Sequence, residues 1–238
     1  MSTMQAVGSI ITDGLVLHLD AANYKSYPGS GTTWTDLTIN ANNGTLTNGP
    51  TFSSANGGSI GFDGISQYVT VPNVIVFGVG FTGTLEIVSN ITGSLLYNER
   101  TTGNHWEGYF SVDSTGKLSV GADSKNATPY VYFLTSSILS DVTKINHYIA
   151  SYQIPSVSGN MNGILGINGN FETVSGSIIV DTVSGNHKNI EIGRTRNYTF
   201  GTSYYSGKVF IARIYNRRLT QQEMLQNYNA TKRRFGIL

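Results

Sequence analysis

The chain has 238 residues, a formal net charge of +1, only 12% charged residues and no cysteine. The lack of cysteine excludes disulfide bonds and thiolate metal sites, and the four histidines are scattered, so we expect any bound metal to have oxygen ligands. Glycine is abundant and there are 14 tyrosines. This composition suits short strands joined by tight turns, and the length suits one all-β domain.

The basic residues are concentrated near the C-terminal end. Residues 188–238 have a net charge of +8, whereas residues 1–187 have a net charge of −7. Such asymmetry can indicate a nucleic-acid partner, but no nucleic-acid motif accompanies it, and the two sets of charges can interleave in a compact fold. We therefore do not expect nucleic-acid binding.

The first 13 residues are small and apolar and show no strand or helix pattern. We interpret residues 1–13 as an N-terminal arm that leads into a single domain, residues 14–238. The beginning of the chain lacks the basic and apolar regions of a signal peptide, and no apolar run approaches the roughly 20 residues that cross a bilayer. The sequence predicts a protein that is not exported by a cleaved signal and has no membrane partner.

Strand patterns recur along most of the chain. Alternating apolar residues in "GLVLHLD" predict a first strand from Gly14, and a Gly-, Asn- and Ser-rich passage then predicts a long surface loop. Asn168-Gly169 is the dipeptide of a type I′ hairpin turn. The spacing of the strands is that of an antiparallel sandwich. The later strand segments include Ile60–Phe62, Tyr68–Val71, Leu85–Val88, Leu95–Asn98, Gly108–Val112, Lys117–Gly121, Tyr130–Leu134 and Asn146–Tyr152.

One helix is predicted near the C-terminal end. Thr220 is a good N-cap, Glu223 completes a capping box, and Leu219 can pack against Met224. We expect about three turns, docked on a sheet or its edge by a narrow apolar stripe. The stripe consists of Met224, Leu225 and Tyr228, and the residues expected to face water are Gln221, Gln222, Gln226 and Asn227.

Both ends of the chain are similar to a known family. "GLVLHLDAANYKSY" and "GKVFIARIYNRRLTQQEMLQNYNATKRRFGI" resemble the laminin-G-like jelly roll of the concanavalin A-like lectin and glucanase superfamily. With "LDAAN" at its start and "YNRRLT" near its end, the chain resembles the variant found in virion structural proteins of tailed bacteriophages, and the resemblance spans about Gly14 to Gly236. It implies an all-β fold, a jelly-roll β-sandwich of two antiparallel sheets with one short C-terminal helix. It also implies that the first and last strands lie near one another.

The resemblance implies a non-enzymatic virion protein, a capsid decoration protein or a tail or fibre module. Such a protein would be assembled in the host cytoplasm, become extracellular with the virion, form a homo-oligomer and attach to other virion proteins. The predicted contact residues lie in the arm and the basic C-terminal segment. They are Val7, Ile10, Ile11, Arg217, Arg218, Arg233 and Arg234.

The alternative hypothesis is a glycan-binding adhesin or lectin that recognises host-surface glycans. A sugar site needs an aromatic platform with polar partners, and several aromatic residues lie in or beside predicted loops. Packing in the core or at the rim is the competing interpretation for each of them. The candidates are Trp34, His105, Trp106, Tyr109, Tyr204 and Tyr205.

The resemblance also raises calcium as a possible cofactor, because related laminin-G-like and lectin domains bind it through loop oxygens. The candidate ligands are Asp20, Asp36 and Asp63. Ser66 and Gln67 stand where relatives commonly have acidic residues, which would weaken such a site. We favour the interpretation that Asp36 and Asp63 cap turns by accepting hydrogen bonds from nearby amides.

A glycoside hydrolase is a third hypothesis. Glucanases of the superfamily place two or three carboxylates at alternate positions of one strand, which brings acid and nucleophile close together. Here the closest carboxylates in sequence are Glu107 and Asp113, six residues apart, and Glu86 stands alone. We therefore assign no catalytic residue. Carboxylates from distant strands could still meet, and the hydrolase hypothesis predicts that changing Glu86 or Glu107 abolishes the release of reducing ends from β-glucans.

Overall fold

The computed structural model describes residues 8–72, 74, 80–100, 106–124, 131–178, 187–197 and 201–237. This part of the chain contains eighteen strands, one 3₁₀ turn at Ala55–Gly57 and one α-helix, α1, at Gln221–Phe235. The strands are β1 Leu15–Asp20, β2 Thr33–Trp34, β3 Gly44–Thr47, β4 Thr51–Ser53, β5 Ser59–Asp63, β6 Tyr68–Pro72, β7 Thr82–Ser89, β8 Gly93–Arg100, β9 Trp106–Val112, β10 Lys117–Ser124, β11 Val131–Leu139, β12 Asn146–Gln153, β13 Gly159–Ile167, β14 Asn170–Ile178, β15 His187–Ile192, β16 Arg194–Asn197, β17 Gly201–Tyr204 and β18 Ser206–Tyr215.

Two antiparallel sheets form the body of the fold. The first sheet has the order β14-β13-β12-β7-β18-β5-β4, and β1 also pairs with β18. The second sheet has the order β11-β10-β9-β8-β15-β6-β3-β2, and β16 and β17 form a separate ribbon. The register places Leu19 of β1 opposite Ala212 of β18, so the first and last strands are neighbours. The predicted all-β sandwich with a C-terminal helix is confirmed.

The core lies between the two sheets and follows the alternation of the strands. Leu85 and Ile87 of β7 point into it from the first sheet, and Phe110 and Val120 point into it from the second. Glu86 and Val88, which alternate with Leu85 and Ile87, therefore belong to the outer face of the first sheet.

Helix α1 covers the outer face of the first sheet. Met224 packs with Ile149 and Tyr215, whereas Tyr228 packs in a separate cluster with Val88. The predicted capping box is present, since Thr220 Oγ1 accepts from the Glu223 N–H and the Glu223 carboxylate accepts from the Thr220 N–H. At 15 residues the helix has about four turns rather than the three expected.

Two positions of α1 differ from the prediction. Leu225, assigned to the docking stripe, is 39% exposed, whereas Asn227, assigned to water, is fully buried. Asn227 is buried because its amide donates to Glu86 Oε2 over 2.7 Å and to the Tyr215 hydroxyl over 2.8 Å. The outer face of the first sheet is thus polar at its centre, and the helix docks through an amide as well as through apolar residues.

The predicted hairpin between β13 and β14 is confirmed. Asn168 and Gly169 both have positive φ, 50° and 79°, as a type I′ turn requires. Gly169 also lies beneath the helix, where a Cβ would be only 2.5 Å from Tyr228 Cε1. The turn glycine therefore serves helix docking as well as backbone geometry.

The described part of the N-terminal arm packs against α1. The Ile11 N–H donates to Asn227 Oδ1 over 2.8 Å, the Tyr215 hydroxyl donates to the Ile11 carbonyl, and Ile11 joins the apolar cluster around Met224. Ile11 is therefore half-buried against its own chain, and its role as a contact to other proteins stays a prediction. Ile10 is half-buried, and Val7 lies outside the described residues.

Several basic residues of the C-terminal segment form ion pairs with acidic residues far away in sequence. Arg213 pairs with Glu86, Arg234 makes two hydrogen bonds of 2.8 Å to Asp20, and Arg217 contacts Asp13 and Glu223. The opposite charges of the two parts of the chain do interleave. Arg217 and Arg234 are thus ion-paired within the chain, Arg218 is half-buried and Arg233 is exposed, and the role of these arginines in attachment stays a prediction. The described helix is not long and apolar enough to cross a membrane.

Candidate functional site

Helix α1 covers the outer face of the first sheet, and the candidate site lies on the outer face of the second sheet. Consecutive strand pairing places five residues in one row across it: Gly121, Tyr109, Tyr97, Glu191 and Thr70. Residues paired in register point to the same side of a sheet. Their sequence neighbours, such as Phe110, Ile190 and Val69, belong to the core, so the row lies on the outer face.

Two tyrosines of this row form an aromatic pair. The ring centroids of Tyr97 and Tyr109 are 5.4 Å apart with an interplanar angle of 47°. Tyr97 is fully buried, whereas Tyr109 is half-buried and so presents part of its ring to solvent. Aromatic pairs at this separation are favourable, and the buried Tyr97 ring here fixes the position of the Tyr109 ring.

A buried ion pair lies beside Tyr97 in the same row. Arg194 Nε donates to Glu191 Oε2 over 2.7 Å and Arg194 Nη2 donates to Glu191 Oε1, and the residues are only 4% and 2% exposed. Gly193, with φ of +83°, turns the backbone between the strands of these two residues. Burial alone would lower the pKa of Arg194, but the hydrogen bonds and charge of Glu191 raise it above its usual value, so the guanidinium stays charged.

Two further tyrosines surround Arg194. Its guanidinium carbon lies 3.3 Å from the ring centroid of Tyr68, a cation–π contact, and the Tyr68 ring is 6.3 Å from that of Tyr204. Tyr204 also makes a side-chain hydrogen bond to Arg194. Both rings are half-buried. We call this surface the tyrosine face, consisting of Tyr68, Tyr97, Tyr109 and Tyr204 around Glu191 and Arg194.

Hydroxyl groups continue the tyrosine face on the side of Tyr109. Ser111 lies two residues beyond Tyr109 on β9, and Ser119 of β10 is its register partner. The Ser119 and Thr135 hydroxyls are 3.0 Å apart. The face therefore combines exposed ring surface with neutral hydrogen-bonding groups.

The structure separates the aromatic residues that the sequence suggested for a sugar site. Tyr109 and Tyr204 both belong to the tyrosine face. Trp34 is fully buried in the core and offers no surface to a ligand, and Tyr205 packs against the core with its hydroxyl 3.0 Å from Thr195 Oγ1. His105 lies outside the described residues, as does the side chain of Trp106, whose backbone begins β9.

Four members of the face were not among the site residues predicted from the sequence: Tyr68, Tyr97, Glu191 and Arg194. Tyr68 and Glu191 alternate with core residues on their strands, and once the strands are known this alternation indicates that both residues lie on the outer face of the sheet. For Tyr97 the alternation is broken, because Leu95 and Leu96 are both buried beside a register shift between β8 and β9.

The three carboxylates suggested for calcium have partners within the chain. Asp36 accepts hydrogen bonds from the N–H groups of His18, Thr38 and Asn42, and Asp63 accepts from three backbone N–H groups of its own turn. Asp20 pairs with Arg234. The described residues include no group of three or more histidine or acidic residues placed to hold a metal ion. Asp36 and Asp63 thus act as turn caps, and calcium binding stays a prediction.

Glu86, named for a possible hydrolase, is buried beneath α1. Its carboxylate contacts Arg213, His147 Nε2 at 3.0 Å and the Asn227 amide. Burial would raise the pKa of Glu86, but the charge of Arg213 and the bonds with His147 and Asn227 lower it to about 2. Glu86 is therefore a buried anchor for the helix with no access to a substrate, while the side chain of Glu107 lies outside the described residues.

No family model and no curated protein sequence match the chain. Solved structures do match. Domain 4 of AbnA, a GH43 extracellular arabinanase from Geobacillus stearothermophilus in complex with arabinotriose, is 15% identical with a TM-score of 0.62 and covers 91% of this chain and 98% of its own. Trypanosoma rangeli sialidase in complex with sialic acid is 16% identical with a TM-score of 0.58. The match covers 94% of this chain and 34% of the sialidase, so this chain corresponds to about a third of that protein.

The binding domain of Botulinum Neurotoxin DC in complex with SialylT is a third neighbour, 13% identical with a TM-score of 0.54. The match covers 92% of this chain and 52% of that one. Identities this low establish the fold and nothing beyond it. The chain is thus an antiparallel β-sandwich with one C-terminal helix, and the proteins that share its fold include both enzymes and binding domains.

Proposed function

We propose that the chain is a glycan-binding module and that the tyrosine face is its binding surface. The observation that carries the proposal is the pairing of half-buried rings with buried supports, Tyr109 on Tyr97 and Tyr68 on Arg194. Sugar rings stack their C–H faces on such aromatic platforms, and nearby polar groups fix their orientation. The rings are held before a ligand arrives, which reduces the entropy lost on binding.

The polar surroundings support the same function. Ser111, Ser119 and Thr135 supply hydroxyl groups that both donate and accept hydrogen bonds, as sugar hydroxyls do. All three of the fold neighbours named above were solved with sugars, the arabinanase domain with arabinotriose, the sialidase with sialic acid and the toxin domain with SialylT. Their ligands favour a binding role for the same fold.

A glycan array followed by calorimetric titration tests this function. We expect Tyr109→Ala to weaken binding about tenfold, which corresponds to about 1.4 kcal/mol, because the platform is lost while the buried Tyr97 remains. Tyr24→Ala is the matched control, since Tyr24 is a 76% exposed loop tyrosine away from the face and its loss should leave binding unchanged. Failure of the wild-type chain to bind any glycan would refute the proposal. A parallel titration with a chelator tests whether calcium takes part.

A second proposed role is attachment within a phage virion, as a decoration protein or a tail or fibre module. The supporting observation is that the arm and α1 meet, with the Gln226 amide donating to the Ser9 carbonyl over 2.8 Å. Of the predicted contact residues that the structure describes, Arg233 is exposed, whereas Ile10 and Arg218 are half-buried. Removing residues 1–10, or replacing both Arg218 and Arg233 with glutamate, should abolish association with virion particles that lack this protein. Undiminished association would exclude this surface, and a monomeric chain that fails to bind would exclude the role.

A further inference from the structure

We propose that Glu191 neutralises Arg194 and thereby makes the tyrosine face select uncharged sugars over acidic ones. This inference rests on the proposed glycan-binding function and names the ligand class of the same site. The ion pair of Glu191 and Arg194 determines which class of sugar is selected, whereas the tyrosine rings provide the affinity for sugars in general.

The geometry of the ion pair carries the argument. Arginine recognises a carboxylate through two parallel hydrogen bonds from one edge of its guanidinium. In this face that edge is already occupied, since Nε and Nη2 of Arg194 both donate to Glu191. The Tyr68 ring covers one side of the guanidinium at 3.3 Å, and Tyr204 takes a further hydrogen bond. The group that would otherwise attract a sugar carboxylate is therefore used internally.

Burial makes this internal carboxylate hard to replace. Glu191 is 2% exposed, so a sugar carboxylate that took its place on Arg194 would break a buried ion pair. Removing one partner of a buried ion pair is strongly unfavourable, because the remaining charge has lost its hydration as well as its partner. An uncharged sugar avoids this cost, since it can stack on Tyr109 and bond to the hydroxyls of Ser111 and Ser119.

Matched ligands test the inference on the wild-type chain. Neutral oligosaccharides and their uronic acid counterparts, for example oligomers of galactose and of galacturonic acid, differ at one carbon of each sugar and are titrated side by side. We expect at least about tenfold tighter binding of the neutral member, with little change between about 0.05 and 0.5 M NaCl because no net charge is paired on binding. Equal or tighter binding of the acidic member would overturn the inference.

The Glu191→Gln variant tests the assigned residue. It keeps the shape of the side chain and releases the charge of Arg194, so the ratio of neutral to acidic affinity should fall at least about tenfold, and binding of acidic sugars should become salt-dependent. Glu223→Gln is the matched control, because it breaks the Arg217 pair at the start of α1, on the other sheet, and should leave the ratio unchanged. An unchanged ratio in folded Glu191→Gln protein would contradict the assignment.

Two failures are distinguishable. If no glycan of either charge binds the wild-type chain, the proposed function fails. If glycans bind but acidic ones are preferred or bind equally well, the function stands and the selectivity inference fails. Circular dichroism and thermal melting establish whether Glu191→Gln is folded, and the wild-type ratio and its salt dependence decide the question even if that variant unfolds.

Discussion

At the scale of single residues, His18 is an ionisable side chain whose pKa is lowered mainly by burial. His18 of β1 lies opposite Arg213 of β18 in the strand register, and its Nε2 atom is buried without a hydrogen-bond partner among the described residues. Burial and the positive charge of Arg213 lower the pKa of His18 to about 4, although Asp20, Glu86 and Asp36 act in the opposite direction. The folded protein therefore keeps His18 neutral at moderately acidic pH.

This shift predicts a pH dependence of stability. Between pH 6.5, the ordinary pKa, and about 4, the unfolded chain binds a proton at His18 that the folded chain does not. The free energy of unfolding should fall as pH falls through this window, by about 1 kcal/mol per pH unit and at most about 3 kcal/mol in total. Urea unfolding at several pH values measures this, with His18→Gln as the control that loses this part of the slope. Equal slopes in both proteins would contradict the assignment.

At the scale of elements, the sequence predicted what depends on local chemistry. The capping box of α1 and the Asn168-Gly169 hairpin were predicted because the residues that specify them lie within a few positions of one another. The burial of Asn227 was not predicted, because its hydrogen-bond partner Glu86 is 141 residues away in sequence. Without such a partner, a polar residue on a short helix indicates a position that faces solvent. The periodicity of apolar residues does not show which polar residues are buried by hydrogen bonds to distant parts of the chain.

The candidate site shows the same limit more strongly. Tyr109 and Tyr204 were predicted as individual aromatic residues, but the tyrosine face depends on strands β6, β8, β9 and β15 being neighbours in the second sheet. That order is non-consecutive and follows from how two sheets share one core. The register shift next to Leu95 and Leu96 also conceals which side of the sheet Tyr97 occupies. A sequence-based list of aromatics could therefore not assemble the site.

At the scale of the whole molecule, the two outer faces of the sandwich differ, since α1 covers the first sheet and the second sheet carries the tyrosine face. The first sheet is closed by α1 and the arm, with the polar cluster of Glu86, Arg213, His147 and Asn227 between sheet and helix. The second sheet carries the tyrosine face, built from other strands and separated from that cluster by the core. Sites that share no partners are expected to contribute independently to stability and binding.

Asn227→Ala tests this separation. The change removes the amide that bonds Glu86, Tyr215 and the Ile11 N–H, and leaves a buried carboxylate oxygen and a backbone N–H without this partner. We expect the free energy of unfolding to fall by about 2 to 4 kcal/mol, because unsatisfied buried groups retain their full desolvation cost. Gln226→Ala, the exposed neighbour with one hydrogen bond to the arm, should cost less than about 1 kcal/mol. Urea unfolding measures both, and glycan titration of the folded variants should give the wild-type affinity, since the lost contacts lie across the core from the tyrosine face. A weakened affinity in folded Asn227→Ala protein would show that helix docking and the binding face are coupled.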